Sequence, residues 1–207
     1  GPEISAKTLY FLQKKNVNIK FIVIGSEKAF KKACLTSNIH SSFNNIKDFI
    51  SYDGNIAFDN KSSKIGGDIS FKSICKAADL FKNKNINAIV TAPISKQSLH
   101  LAKHFFDGHT GLLGSLFGIA EPYLLLSNKR FSTLHVTCHK SLLDAISLIK
   151  KNRVADVIQI GHDHMVKIGI KKPRIGICGL NPHSSENGIF GDEEREKYNF
   201  KHKNLNI

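Results

Sequence analysis

INAIVTAPISKQSLHLAKHFFDGHT, residues 86–110, is the stretch on which the reading of this chain turns. Ile86 to Thr91 is an apolar run of strand length. Ala92-Pro93 stops it, because proline has no N–H to give to a sheet. From Lys96 to Ala102 the spacing turns helical, with Leu99 and Ala102 on one face and Lys96, Lys103 and His104 on others. Asp107-Gly108-His109-Thr110 closes the stretch with a glycine among three side chains able to bond a ligand. A buried strand that ends in a polar, glycine-marked loop is where open α/β sheets place their ligand crevices. Fold and site are therefore read from the same residues.

Outward from this stretch the same alternation recurs. Residues 5–16 carry an apolar stripe (Ala6, Leu9, Tyr10, Leu12) that predicts a helix, and Ile19 to Ile24 reads as a strand covered on both faces, ending at Gly25. Ser26 and Glu27 open a short helix that Cys34 closes. Residues 36–67 are polar, with Ile56-Ala57-Phe58 the one candidate edge strand. Ser70 is placed to cap a helix reaching Asn83, with Ile74, Cys75, Ala78, Leu80 and Phe81 inward. Gly111 to Gly118 is helical in pattern. Tyr123–Leu126 and Thr133–Thr137 flank Ser127-Asn128-Lys129-Arg130 as a hairpin. Helices are expected at 141–151 and 154–168, and a strand at Arg174–Gly179 (RIGICG) that leads into Leu180-Asn181-Pro182-His183. The tail after Asp192 has no pattern that can finish a core, and no repeat is visible. Helices alternating with short apolar strands predict an α/β protein with a largely parallel sheet.

Composition narrows the class. Hydrophobic residues at 41% and charged residues at 23% are ordinary for a soluble domain, and no stretch approaches the roughly 18 apolar residues of a membrane helix. The N-terminus lacks the basic-then-apolar order of a signal peptide. Cys34, Cys75, Cys138 and Cys178 are far apart and form no CxxC, which reads as reduced thiols in the cytoplasm. The net charge of +13 comes from 26 Lys and only 4 Arg, scattered among Asn and Ile. A coding bias toward Lys, Asn and Ile explains that best, and steering of phosphorylated substrates comes next. Nucleic acid is a distant third, since readers of nucleic acid lean on Arg for bidentate contacts.

Three histidines follow expected strand ends: His109 after Gly108, His139 after HVTC, and His183 after GLNP. Imidazole is the commonest neutral metal ligand, and loops at one sheet edge can pool such ligands. Spacing alone leaves surface or core roles open for each. His162-Asp163-His164 falls within a helix, where its two histidines diverge by about 200° and cannot easily share one ion, so a solvated face is expected. Ser184 to Gly188, followed by Gly191-Asp192-Glu193-Glu194, reads as a polar loop before an acidic helix start. Lys96, just past a strand end, is placed either to meet a phosphate or to be solvated. There is no GxGxxG and no GxxxxGKS/T, so neither dinucleotide nor nucleotide fingerprint is present.

VTAPISK (90–96), GHT (108–110), TCH (137–139), and PRIGICGLNPH (173–183) with Glu186, Gly188, Phe190-Gly191 and Glu193-Glu194 together resemble the 4-hydroxythreonine-4-phosphate dehydrogenase family of pyridoxal 5′-phosphate biosynthesis. Gly1-Pro2-Glu3-Ile4 is similar to the end of that family's glycine-rich opening motif. The resemblance implies a fold like that of isocitrate and isopropylmalate dehydrogenases, an α/β/α architecture whose dinucleotide site needs no Rossmann fingerprint. It also implies NAD- or NADP-dependent oxidation of a phosphorylated small-molecule substrate, 4-phosphohydroxy-L-threonine, at its secondary hydroxyl, followed by loss of CO2. A divalent metal (zinc, or magnesium or cobalt in its place) would polarise the hydroxyl oxygen. By motif match His139 and His183 correspond to metal ligands, and His109 and Thr110 to substrate-binding residues. The family is a homodimer with each active site at the subunit interface.

The chain departs from the family at three places. Gly111 stands where Glu is usual, Ser184-Ser185-Glu186 replaces Ala-Gly-Glu, and Lys140-Ser141-Leu142 lacks the usual Leu-Pro. The family also continues further, through a Tyr-His-Asp-Gln-Gly-like segment that carries a third metal histidine. The 207 residues are thus expected to be the N-terminal two thirds of a two-domain dehydrogenase, lacking the C-terminal part, with an internal boundary near 110–120. The same motifs also fit a catabolic relative acting on a four-carbon sugar-acid phosphate of threonate or erythronate type, or a non-catalytic remnant.

Overall fold

A computed structural model describes residues 1–40, 42–55 and 61–197. The chain divides into two compact units, the first ending at Pro122 and the second starting at Tyr123. Among the described residues no helix is long and apolar enough to cross a membrane.

In the first unit, α1 (Pro2–Lys14) begins with proline in its first turn, where the missing N–H costs nothing. Its Ala6 and Leu9 pack with Phe30, Cys34 and Ile39 to form a small core against which Phe21, Phe43 and Phe49 lean. β1 (Phe21–Gly25) leads into α2 (Glu27–Thr36), capped by Ser26, whose Oγ accepts from the Ala29 N–H at 3.2 Å. β2 (Ile46–Ser51) pairs with β1 in parallel. This strand lies in the polar region 36–67, where the only strand expected is at 56–58, because Asn44, Asn45, Lys47 and Asp48 obscure its apolar alternation. The candidate edge strand at 56–58 lies outside the described residues.

α3 (Lys64–Lys82) starts seven residues before the expected position. Ser63 is its cap, accepting from Gly66 N–H at 3.1 Å, while the Ser70 hydroxyl lies inside the helix and donates to the Gly66 carbonyl at 2.8 Å. Ile74 and Ala78 are buried as expected, but Phe81 is at the surface, edge-on to Phe117. α4 (Lys96–Leu101) and α5 (His109–Leu116) follow, with Leu99 and Leu112 fully buried. α3 and α4 cross closely. A Cβ on Gly67 would overlap the backbone of Ser98, so only glycine permits this crossing.

The second unit contains the expected antiparallel hairpin, β3 (Leu125–Ser127) with β4 (Ser132–Leu134), but Ser127 pairs with Ser132 inside it rather than turning, and β4 stops at Leu134 rather than Thr137. α6 (Leu142–Leu148), α7 (Lys151–Lys167), a 3-10 turn (Pro182–Gly188) and α8 (Glu193–Lys197) complete it.

The α/β class holds, but the parallel sheet is only partly formed: β1–β2 is the one parallel pair among the described residues. The expected strands at 86–91 and 174–179 form no regular element and have no strand partner among the described residues, where no backbone hydrogen bond involves 86–94. Val90 is 86% exposed, and β1 is half-buried along its length rather than covered on both faces. A strand is completed by its neighbour's N–H and C=O groups, and apolar content cannot supply them. A groove of about 1370 Å³ is lined by β1, by residues 86–95 and by Ile69, Ser70 and Ser73 of α3.

Candidate active site

In the first unit the structure gathers Lys96, Gly108, His109 and Thr110. Ser95 caps α4, its Oγ accepting from Ser98 N–H at 3.1 Å, which sets Lys96 as the first helical residue. A lysine there opposes the helix dipole, so α4 gains nothing from its charge. Gly108 caps α5 with φ at +142°, a conformation L-residues rarely adopt, and the Lys96 Cε lies 3.9 Å from where a Cβ would stand. No side chain caps α5, so the N–H groups of its first turn are left for a ligand. His109 occupies that turn and lines the groove, and its Nε2 is buried with no hydrogen-bond partner among the described residues. Thr110 adds a hydroxyl. An ammonium, an imidazole, a hydroxyl and free helix N–H groups together suit a phosphate or carboxylate.

His139 and His183 belong to the second unit. Both are exposed and both have left-handed backbone, with φ of +52° and +51°. His183 begins a run of five such residues, His183 to Asn187, none of them glycine. Strain of that kind collects at functional sites when the surroundings enforce it. Here Glu194 does the enforcing. Its carboxylate accepts from the backbone N–H groups of Leu180 (2.8 Å) and Asn181 (2.7 Å), from Asn181 Nδ2 (3.0 Å), and from the Ser185 hydroxyl. The Asn181 backbone bond, then the Ser185 hydroxyl, pulls the Glu194 carboxyl down to about 2. Among the described residues no group of three His, Cys, Asp or Glu side chains comes together as a metal site. His162-Asp163-His164 bonds within its own helix, Asp163 meeting His162 Nδ1 at 3.1 Å and Gln159 Nε2 at 2.7 Å.

One constellation has no signature in the sequence. On α3, Asp68 holds His104 Nε2 at 3.2 Å and Lys72 Nζ at 2.7 Å, and Phe71 stacks on the His104 ring at 3.7 Å and 9°. The carboxyl of Asp68 is held below the usual range, first by Lys72 and then by His104. The Asp68–Lys72 spacing is visible along a helix, but its meeting with a residue 36 positions later is not.

A family model described as pyridoxal phosphate biosynthetic protein PdxA matches residues 17–200. The chain belongs to this family. Among curated PdxA relatives, the D-threonate 4-phosphate dehydrogenase of Cupriavidus necator is 43% identical over 137 residues, covering 66% of this chain and 41% of the relative. The 4-hydroxythreonine-4-phosphate dehydrogenase of Geobacter metallireducens is 41% identical over 128 residues, 62% of this chain and 38% of the relative. The solved structure of a 4-hydroxythreonine-4-phosphate dehydrogenase from Burkholderia phymatum matches with a TM-score of 0.79 at 33% identity, over 95% of this chain and 64% of that one. The chain therefore spans less than two thirds of the length of these PdxA relatives, all of them dehydrogenases.

Proposed function

We propose that the protein acts as an NAD(P)-dependent dehydrogenase of a four-carbon hydroxy acid phosphorylated at C4. The observation that carries this is the buried, unpartnered Nε2 of His109 beside Lys96 and the uncapped start of α5. An orphaned buried nitrogen calls for a partner, and an anionic ester supplies one. In this reading His109 and Thr110 hold the substrate, and Lys96 adds charge. A bound nicotinamide would supply the hydride acceptor for C3; with the hydroxyl proton released, the resulting 3-keto acid would lose CO2 to give a three-carbon ketone phosphate.

The two substrates named among the relatives differ at C2, which bears a hydroxyl in D-threonate 4-phosphate and an ammonium in 4-phosphohydroxy-L-threonine. Gly111, exposed beside Thr110, offers no carboxylate to an ammonium, which favours D-threonate 4-phosphate. The amino acid of pyridoxal phosphate synthesis is the alternative. His139 and His183 are the donors this chain would give to a divalent metal (zinc, magnesium or cobalt). A catalytic zinc takes three protein ligands, and the described residues do not complete such a centre. An isocitrate-dehydrogenase-like architecture, a homodimer with the site at the subunit interface, and a cytoplasmic location belong to the same reading.

The test is reduction of NAD+ or NADP+ by the purified protein, offered each substrate in parallel with each metal. Oxidation of D-threonate 4-phosphate is expected to be the faster, and failure to oxidise either ester would overturn the dehydrogenase reading. The incomplete ligand set favours one second reading: a protein that binds the ester without oxidising it, which predicts calorimetric binding and no reduced nicotinamide.

A further inference from the structure

We propose that His104 is a positioning residue for His109 and Thr110, acting through its clamp on α3. The inference rests on the reading of those two residues as substrate contacts. The connection from α4 to α5 is short and awkward: Lys103 is left-handed at φ +64° and Gly108 lies at +142°. The last backbone bonds to α4 are those of Lys103 N–H to His100 O and His104 N–H to Leu99 O, both 2.9 Å. Beyond them, among the described residues, only the Phe106 N–H to His104 carbonyl bond, 3.1 Å, ties the backbone before α5 begins.

Side chains hold it instead. His104 is pinned in two directions, its Nε2 by Asp68 at 3.2 Å and its ring face by Phe71 at 3.7 Å. Phe106 stacks more loosely on the other part of Phe71, at 6.2 Å and 20°. Three residues further on is His109. Gly67, next to Asp68 and one turn before Phe71, is the residue on which α4 crosses α3. Successive positions of one helix thus fix the end of α4, which carries Lys96, and the approach to α5, which carries His109 and Thr110. The imidazole of His104 is an unusual choice for a mere filler. A purely aliphatic or purely aromatic side chain would lose the Asp68 bond, and a lysine would lose the stack; the imidazole makes both contacts at one point.

The test follows the His109 imidazole signals by nuclear magnetic resonance, assigned with His109→Gln, alongside calorimetric binding of D-threonate 4-phosphate. His104→Ala is expected to shift the His109 signals and weaken binding by about tenfold, the scale on which a small misplacement acts. His104→Gln keeps a donor for Asp68 and is expected to recover most of that loss. Lys72→Ala, which removes an exposed ion pair worth little, is expected to move neither readout. Unchanged His109 signals in His104→Ala overturn the proposal. Should that variant unfold, His104→Phe, which keeps a ring on Phe71 and loses the Asp68 bond, decides instead: shifted His109 signals with weaker binding support the clamp, and wild-type-like signals and affinity overturn it. If the wild type fails to bind the ester while His104→Ala still moves the His109 signals, the positioning stands and the substrate reading falls.

Discussion

Gly67 of α3 lies directly against the backbone of Ser98 in α4, leaving no room for a Cβ between the two helices. The same contact is flanked by a hydrogen bond from Ser63 N–H to Ser98 Oγ at 3.1 Å and by the fully buried Leu99. Gly67→Ala adds helix propensity of up to about 1 kcal/mol, but the clash is with backbone that cannot rotate away. A net loss of about 1–3 kcal/mol is expected, the range of an overpacked core, read as a lower denaturant midpoint. An unchanged or raised midpoint would mean that the crossing is looser than described.

Unpaired segments should exchange their amide hydrogens quickly. Phe21 N–H donates to Asn45 O at 2.8 Å, and Tyr52 N–H donates to Gly25 O at 2.8 Å, closing both ends of the β1–β2 ladder. Residues 86–91 have no such bonds to the described residues. Mass-spectrometric hydrogen exchange is expected to show protection in 21–25 and 46–52 and near-complete early exchange in 86–91. Equal protection in all three would show that 86–91 is paired in solution.

Glu194 makes the second unit sensitive to acid. Its carboxyl sits at about 2 in the folded chain against an ordinary 4.5. A depressed folded value means the unfolded chain takes up the proton first. The stabilisation is complete above about 4.5 and is lost as pH falls toward 2. Thermal melts of the wild type are expected to drop across that window, and those of Glu194→Gln to change less. Parallel curves for the two proteins would assign the acid sensitivity elsewhere.

The cysteines should separate by burial. Cys34 is 1% exposed and burial pushes its thiol up, whereas Cys178 is exposed on the unpaired segment 174–179. A disulfide exchange reagent at neutral pH is expected to modify Cys178 within the native state and Cys34 only on unfolding. Rapid labelling of Cys34 in folded protein would contradict its place in the core beside Phe30.

The sequence by itself determined where most of the helices lie, and it named the groups proposed for the site. Apolar spacing located α1, α2, α4, α5 and α7, because a helix satisfies its own backbone and its signal is local. The turn after Ser127 and the glycine at 108 were legible for the same reason: φ preferences belong to single residues. The strands were legible only as apolar runs. Ile86–Thr91 and Arg174–Gly179 have the composition of strands and no strand partner among the described residues, while β2 has a partner and an obscure pattern, because pairing is a property of two segments. Tertiary structure alone decided three further points. It brought Lys96 to Gly108, left the His109 Nε2 buried and unbonded, and joined Asp68 and Phe71 to His104 across 36 positions. A motif names the groups that can bind; burial and side-chain contact, which no linear spacing encodes, decide which of them are held in place to do so.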